Sequence, residues 1–207
     1  AVRQRRYLPQ FVADLSRRHG RFEVVVRGGY EQELFAMLRS GEVEFALTEI
    51  GHTADENAFV SHVLRTDHYA VVCARNHPLC KRQPVSLDDL VAYRWAMPDR
   101  AEYARRRLNG LFFAENLSAP EVALRSNSLG FVLRTVSACE MLSFVVCTEE
   151  EQAEDWPDLV MLRCDFDLPS RQAGIVRRAG GWRSPGARML AEELMERCLG
   201  PGTVAED

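Results

Sequence analysis

Two short polar segments of this chain carry the residue types that hold a small anion: Gly28-Gly29-Tyr30-Glu31-Gln32 and Arg125-Ser126-Asn127-Ser128. Each stands between an apolar run that reads as a strand and an amphipathic pattern that reads as a helix. The first four N–H groups of a helix lack partners within it, and the dipole is positive there, so such an opening favours negative charge. Ser126 and Ser128 can donate hydrogen bonds to a carboxylate, cap the helix, or do both. At the other opening Glu31 would repel an anion; it either complements its own helix dipole or selects a ligand with an amine or hydroxyl. Thr48 and Glu49 end a strand pattern and can line the same edge. Met97, Pro98, Asp99 and Arg100 end another, and Arg100 can pair with a carboxylate. The expected ligand-binding set is therefore Tyr30, Glu31, Gln32, Thr48, Glu49, Met97, Asp99, Arg100, Ser126, Asn127 and Ser128.

Other chemistries find no comparable support. The histidines, His19, His52, His62, His68 and His77, accompany no nucleophile elbow, zincin or phosphate-loop motif, and surface or turn roles are expected for them. His77-Pro78 reads as a turn. Cys73, Cys80, Cys139, Cys147, Cys164 and Cys198 form no CxxC pair and do not cluster with histidines at zinc spacing. They are expected to be buried free thiols of a reducing cytoplasm. Cys139, at a helix end beside Glu140, can line a cleft and sense oxidation, but no cation stands beside it in the sequence and a structural role is expected. No catalytic residue, metal or cofactor is expected. A net charge of −4, with Lys81 the single lysine, argues against nucleic-acid binding by bulk electrostatics. Arg105-Arg106-Arg107 reads as a solvated helix face beside Glu102 and Glu115. No apolar run approaches the ~20 residues that span a bilayer, so no membrane partner is expected.

The elements that must position the candidate residues follow from periodicity. Leu8, Phe11, Val12 and Leu15 mark a helix ending near Gly20, followed by a strand over residues 22–26. Leu34, Phe35 and Leu38 mark a helix stopped by Gly41, and 43–47 alternates as a strand. Residues 51–58 read as a loop, then 59–65 and 69–74 as strands. This is the rhythm of a parallel sheet with crossover helices. Past Pro78 it restarts. Ser86 and Asp89 have capping-box spacing. Residues 94–97 form a strand, and a long helix opens near Asp99 and Glu102. Residues 121–125 are a strand, 128–138 a helix and 142–147 a buried strand. Residues 149–157 are an acidic loop with a short helical tendency. Strands over 159–164 and 173–178 follow, then a helix opened by Ser184-Pro185. The tail, 200–207, reads as disordered.

In this order the segments resemble the regulatory domain of LysR-type transcriptional regulators. Leu8-Pro9 at a helix resembles that family's "LP…F". Residues 34–47 look like its "ELL..L..GELDLAI". Asn76-His77-Pro78-Leu79 resembles "HPL", residues 85–90 resemble "vsl.dL", Arg94-Trp95-Ala96-Met97-Pro98 resembles "pWilP", and residues 184–194 look like the closing helix. The likeness covers nearly the whole chain. It implies an α/β, two-lobed type 2 periplasmic-binding-protein-like fold, with two crossover strands near 68–73 and 165–174 and an inter-lobe cleft. Lobe I would comprise 1–70 plus 173–199, and lobe II 71–172. It further implies a small-molecule effector bound near Glu31, Thr48, Met97 to Asp99 and Ser126 to Ser128. Self-association as dimer or tetramer and DNA contact only through an N-terminal helix-turn-helix not in this chain would follow, with RNA polymerase as a further candidate partner. No counterpart of the strand that opens the family's first lobe precedes Leu8. The family turn "aGlGiallP" is replaced here by residues 138–146, which lack both glycines and the proline. A solute-binding protein of a transporter, or an enzyme on the same fold, are the alternatives; the latter needs a general base that is not evident.

Overall fold

A computed structural model describes residues 2–19, 23–50, 57–99 and 102–199. The chain divides into two compact units, Ala1–Asp67 with Arg171–Asp207, and His68–Ser170.

In the first unit, α1 (Val2–His19), α2 (Glu31–Ser40) and α7 (Pro185–Leu199) pack on strands β1 (Phe45–Glu49), β7 (Ser170–Arg178) and the first part of β2 (Phe59–Ala74). The strand order is β1-β7-β2. Side chains alternate along a strand, so β7 serves both faces. Ile175 packs with Phe11 and Leu15 of α1 and with Leu190 and Leu194 of α7. Its neighbour Val176 packs with Phe35 and Leu38 of α2. Strands β7 and β2 approach so closely that a Cβ at Gly174 would stand 2.0 Å from the His62 carbonyl oxygen. Two charge pairs tie α1 to α7: Arg18 holds Glu193 at 2.7 and 3.0 Å, and Arg197 holds Asp14 at 3.2 Å. Ser184 opens α7, its Oγ accepting from the Ala187 N–H at 3.1 Å while Glu44 accepts from its own N–H and hydroxyl.

The second unit contains two strand–helix steps, β3 (Trp95–Pro98) to α4 (Glu102–Ala114), and β4 (Val122–Ser126) to α5 (Leu129–Ser137). β3 and β4 are parallel. A parallel bridge from Trp95 to Leu142 leads to β5 (Ser143–Val146), which pairs antiparallel with the end of β2. α3 (Leu87–Val91), α6 (Glu149–Asp155) and β6 (Leu159–Met161) complete the unit, with β6 antiparallel to β2. Alternation again sorts the core. Val71 and Cys73 pack with Trp95, Leu108, Phe112 and Phe144. Ala70 and Val72 pack with Ala96, Val132, Leu133 and Val136. The capping box expected at Ser86 forms: its hydroxyl accepts from the Asp89 N–H at 3.2 Å, and the Asp89 carboxylate accepts from the Ser86 N–H at 3.1 Å.

Several expectations are corrected. Residues 23–30 belong to no helix or strand, and Val25 and Val26 are each 57% exposed. A strand needs a neighbour for its N–H and C=O groups, and among the described residues none pairs with this segment. The two strands expected over 59–65 and 69–74 are one, β2, because the polar stretch between them holds no glycine or proline to turn it. β1 runs antiparallel to β7, Phe45 opposite Arg177 and Glu49 opposite Ala173, so the parallel rhythm expected there does not hold for this pair. α1 starts earlier than Leu8, whereas the short helical tendency read in the acidic stretch is realised as α6. The tail and the loop over 51–56 lie outside the described residues.

Candidate functional site

Within the second unit the fold brings one set of candidates together. Parallel strands β3 and β4 end side by side, with Met97 opposite Arg125 and Pro98 opposite Ser126. The ladder continues past β3, where the Asp99 N–H donates to the Ser126 carbonyl at 2.8 Å. Ser128 caps α5, its Oγ accepting from the Phe131 N–H at 3.2 Å. The Ser126 Oγ accepts from the Ser128 N–H at 3.1 Å. Asn127, between them, is exposed. Asp99, Ser126, Asn127 and Ser128 thus share the carboxyl edge of a parallel pair, beside a helix opening. That is the place where open α/β sheets offer N–H and O–H donors to ligands. A hydroxyl that accepts one bond still carries its own proton, so the caps do not exhaust Ser128 as a donor.

Three details reshape this set. Met97 is 2% exposed and belongs to the core, so its side chain is packing rather than lining. Asp99 is committed to Arg125, whose Nη2 lies 2.9 Å from the Asp99 carboxylate and 3.1 Å from its carbonyl oxygen. That pair offsets part of the negative charge Asp99 would otherwise set against an anion. Arg100 lies outside the described residues.

Within the first unit the opening of α2 is already occupied by charge of its own. The Tyr30 N–H donates to the Glu33 carboxylate at 2.9 Å, and Glu31 adds a second carboxylate to the first turn. Two acidic side chains offset the helix dipole, so this opening suits an amine or hydroxyl rather than an anion. Tyr30 and Glu31 are half-buried, and Gln32 is exposed. Thr48 and Glu49 end β1 but face opposite ways. Thr48 shares the side of Ala46, which α2 covers, whereas Glu49 shares the side of Leu47 and Phe45. The fold therefore does not gather Thr48 and Glu49 on one surface.

Glu49 instead joins a buried charge row that sequence reading missed. Arg171 on β7 lies 3.5 Å from Glu49 on β1 and 3.2 Å from Asp67 on β2, and Arg65 reaches Asp67 at 2.7 Å. Glu49 and Asp67 are each 9% exposed at the side chain and Arg171 is 13% exposed. Arg65 and Asp67 fall two apart and so share a strand face. That was the only legible signal, because the strand that supplies Arg171 is set by topology.

Among the histidines, His77 is buried rather than surface-placed, though it does serve a turn. Its Nδ1 accepts from the Leu79 N–H at 3.2 Å, which leaves Nε2 to donate to the Glu140 carbonyl at 3.3 Å. Burial holds its pKa below the ordinary histidine value. Burial and the charges of Arg177 and Arg183 do the same for His62. All six cysteines are thiols. Burial pushes Cys164 up to about 11 and Cys73 well above the usual thiol range. Among the described residues no group of three or more His, Cys, Asp or Glu side chains is placed to hold a metal. No described helix is long and apolar enough to cross a membrane.

Comparison with known proteins adds three findings. The family model described as LysR substrate binding domain matches residues 4–199. The HTH-type transcriptional regulator GalR of Pseudomonas putida is 26% identical over 187 residues, covering 89% of this chain and 46% of GalR. The chain spans less than half the length of the first curated relatives it matches. Among solved structures, the Synechocystis CcmR regulatory domain in complex with 2-PG is similar at a TM-score of 0.81 and 14% identity, over 96% of this chain and 94% of that one. The effector binding domain of QuiR in complex with shikimate is similar at a TM-score of 0.76 and 16% identity, over 92% and 90%. At these identities the likeness is one of fold.

Proposed function

Because this chain belongs to the LysR substrate binding domain family, we propose that it is the effector-binding domain of a bacterial LysR-type transcription regulator. It binds a small, anionic metabolite and passes that signal to a DNA-binding domain outside this chain. The observation that supports this reading most directly is the α5 opening, where Ser126, Asn127 and Ser128 meet the ends of two parallel strands. Backbone N–H groups, two hydroxyls and a helix dipole converge there, and Arg125 pairs with the Asp99 carboxylate. CcmR and QuiR were solved with 2-PG and shikimate, and effectors of similar size are the first candidates here.

The domain acts as a switch, not as an enzyme. An effector shifts an equilibrium between conformations only by its differential affinity for them. Self-association as a dimer or tetramer carries the bias to DNA, and the full protein works in the cytoplasm, where its operators are. The solute-binding alternative finds no support among the relatives.

A thermal-shift screen of small carboxylates, 2-PG and shikimate included, tests the reading, since a ligand that binds only the native state raises its melting temperature. Calorimetry on a hit then compares the wild type with Ser126→Ala/Ser128→Ala. Hydrogen bonds to a charged group contribute about 1.5–3 kcal/mol each, so losing both lowers affinity on the order of a hundredfold to ten-thousandfold. Unchanged affinity would remove the α5 opening from the site.

A further inference from the structure

Cys73 lies near the end of β2, and Cys80 sits in the 3-10 turn Pro78–Lys81 that follows; their sulfurs are 3.7 Å apart. The turn is held in place by backbone bonds. The His77 N–H donates to the Ala74 carbonyl at 3.0 Å, and the Cys80 N–H donates to the His77 carbonyl at 3.0 Å. The buried ring of His77 accepts from Leu79, pinning the same turn from within. Cys73 is fully buried, whereas Cys80 is partly open to solvent. One thiol is thus reachable by a small oxidant, and the second waits behind it at van der Waals distance. Closing to a bond of ~2.05 Å needs side-chain rotation and a small shift of the turn.

We propose that Cys73 and Cys80 are a redox-modification site that forms a reversible disulfide on exposure to a peroxide. The Cys80 thiolate attacks one peroxide oxygen, the O–O bond breaks, and hydroxide leaves, giving a sulfenic acid at Cys80. The Cys73 sulfur then attacks the Cys80 sulfur. The S–O bond breaks, the Cys73 proton and the departing hydroxide leave as water, and an S–S bond forms. Two thiols are oxidised and one peroxide is reduced to two waters. A cytoplasmic disulfide of this kind is a transient, sensing one rather than a permanent staple. Burial of Cys73 disfavours its thiolate, so the second step is the slower of the two. The cross-link ties the turn to the strand end and restricts the unfolded chain, which raises the melting temperature. The site is independent of the effector reading, since it uses none of the α5 opening.

The test is peptide mapping after hydrogen peroxide. Trypsin cuts after Arg75 and Lys81, so Cys73 leaves in peptide 66–75 and Cys80 in peptide 76–81. The expected result is that these two peptides emerge joined, short of two hydrogens, and separate again with dithiothreitol. The oxidised chain melts higher by on the order of 5 °C, and the Cys80→Ser variant shows neither change. Over-oxidised Cys80 with Cys73 still open to alkylation after unfolding would overturn the proposal. So would a disulfide joining other cysteines, such as Cys198 of two chains. The mapping is done on the wild-type chain, so the result does not depend on whether a variant folds.

Discussion

Asp67 on β2 and Arg171 on the neighbouring strand β7 face one another at 3.2 Å, with both side chains almost withdrawn from water. Arg65 flanks Asp67 on one side, and Glu49 flanks Arg171 on the other, so charge alternates along the row. Burying charge is costly unless each is paired, and a broken pair leaves its partner stranded. Asp67→Ala should therefore destabilise the chain by about 3 kcal/mol, read from urea unfolding. A cycle with Arg171→Ala should show coupling above about 1 kcal/mol; additive losses would mean that the pair is not felt as one unit.

Ser128 has two roles that one substitution separates. Aspartate is as good a helix cap as serine, so Ser128→Asp should change stability by less than about 0.5 kcal/mol, whereas Ser128→Ala should cost about 1 kcal/mol. If an anion binds at the α5 opening, the aspartate repels it and affinity falls at least tenfold while the melting temperature of the free domain holds. Equal affinity in both variants would place the effector elsewhere.

Stability should fall on acidification through His77. The buried ring stays neutral in the folded chain, with its pKa below the ordinary value of 6.5, while the unfolded ring titrates near that value. As pH falls the unfolded state takes the proton first, so the contribution is present above about pH 6.5 and is lost as pH drops through the lowered folded pKa. His62 acts with the same sign. Urea midpoints between pH 7.5 and pH 5.5 should drop, and His77→Gln should drop less steeply. An identical slope would assign the effect to other groups.

Gly174 is required by proximity rather than by backbone angle. An added methyl would press on the His62 carbonyl at 2.0 Å, and both atoms belong to paired strands with no room to part. Gly174→Ala should cost several kcal/mol by overpacking, visible as a large loss in melting temperature. By contrast, a Cβ at Gly28 meets nothing within 4 Å. Gly28→Ala should leave the melting temperature nearly unchanged.

What the order of residues determined by itself was local. The capping boxes and caps at Ser86, Ser128 and Ser184, the helical stripes of α1 and α5 and the apolar run of β5 are all contacts between near neighbours, and such contacts are written in spacing. Only the tertiary structure decided matters that depend on which strand lies beside which. Val24, Val25 and Val26 have strong β-propensity but no described partner, so they stay out of the sheet. Residues 66–68 separate two strands in the sequence reading, yet β2 runs through them, and Arg171, over a hundred positions later, supplies the charge that lets Asp67 be buried. Cys73 and Cys80 are ordinary thiols in the sequence and become a pair because a short turn folds back on the strand it leaves. Hydrogen-bond spacing along a chain is set by covalent geometry, but pairing across a sheet and compensation of buried charge are set by topology. Neighbouring residues do not encode topology.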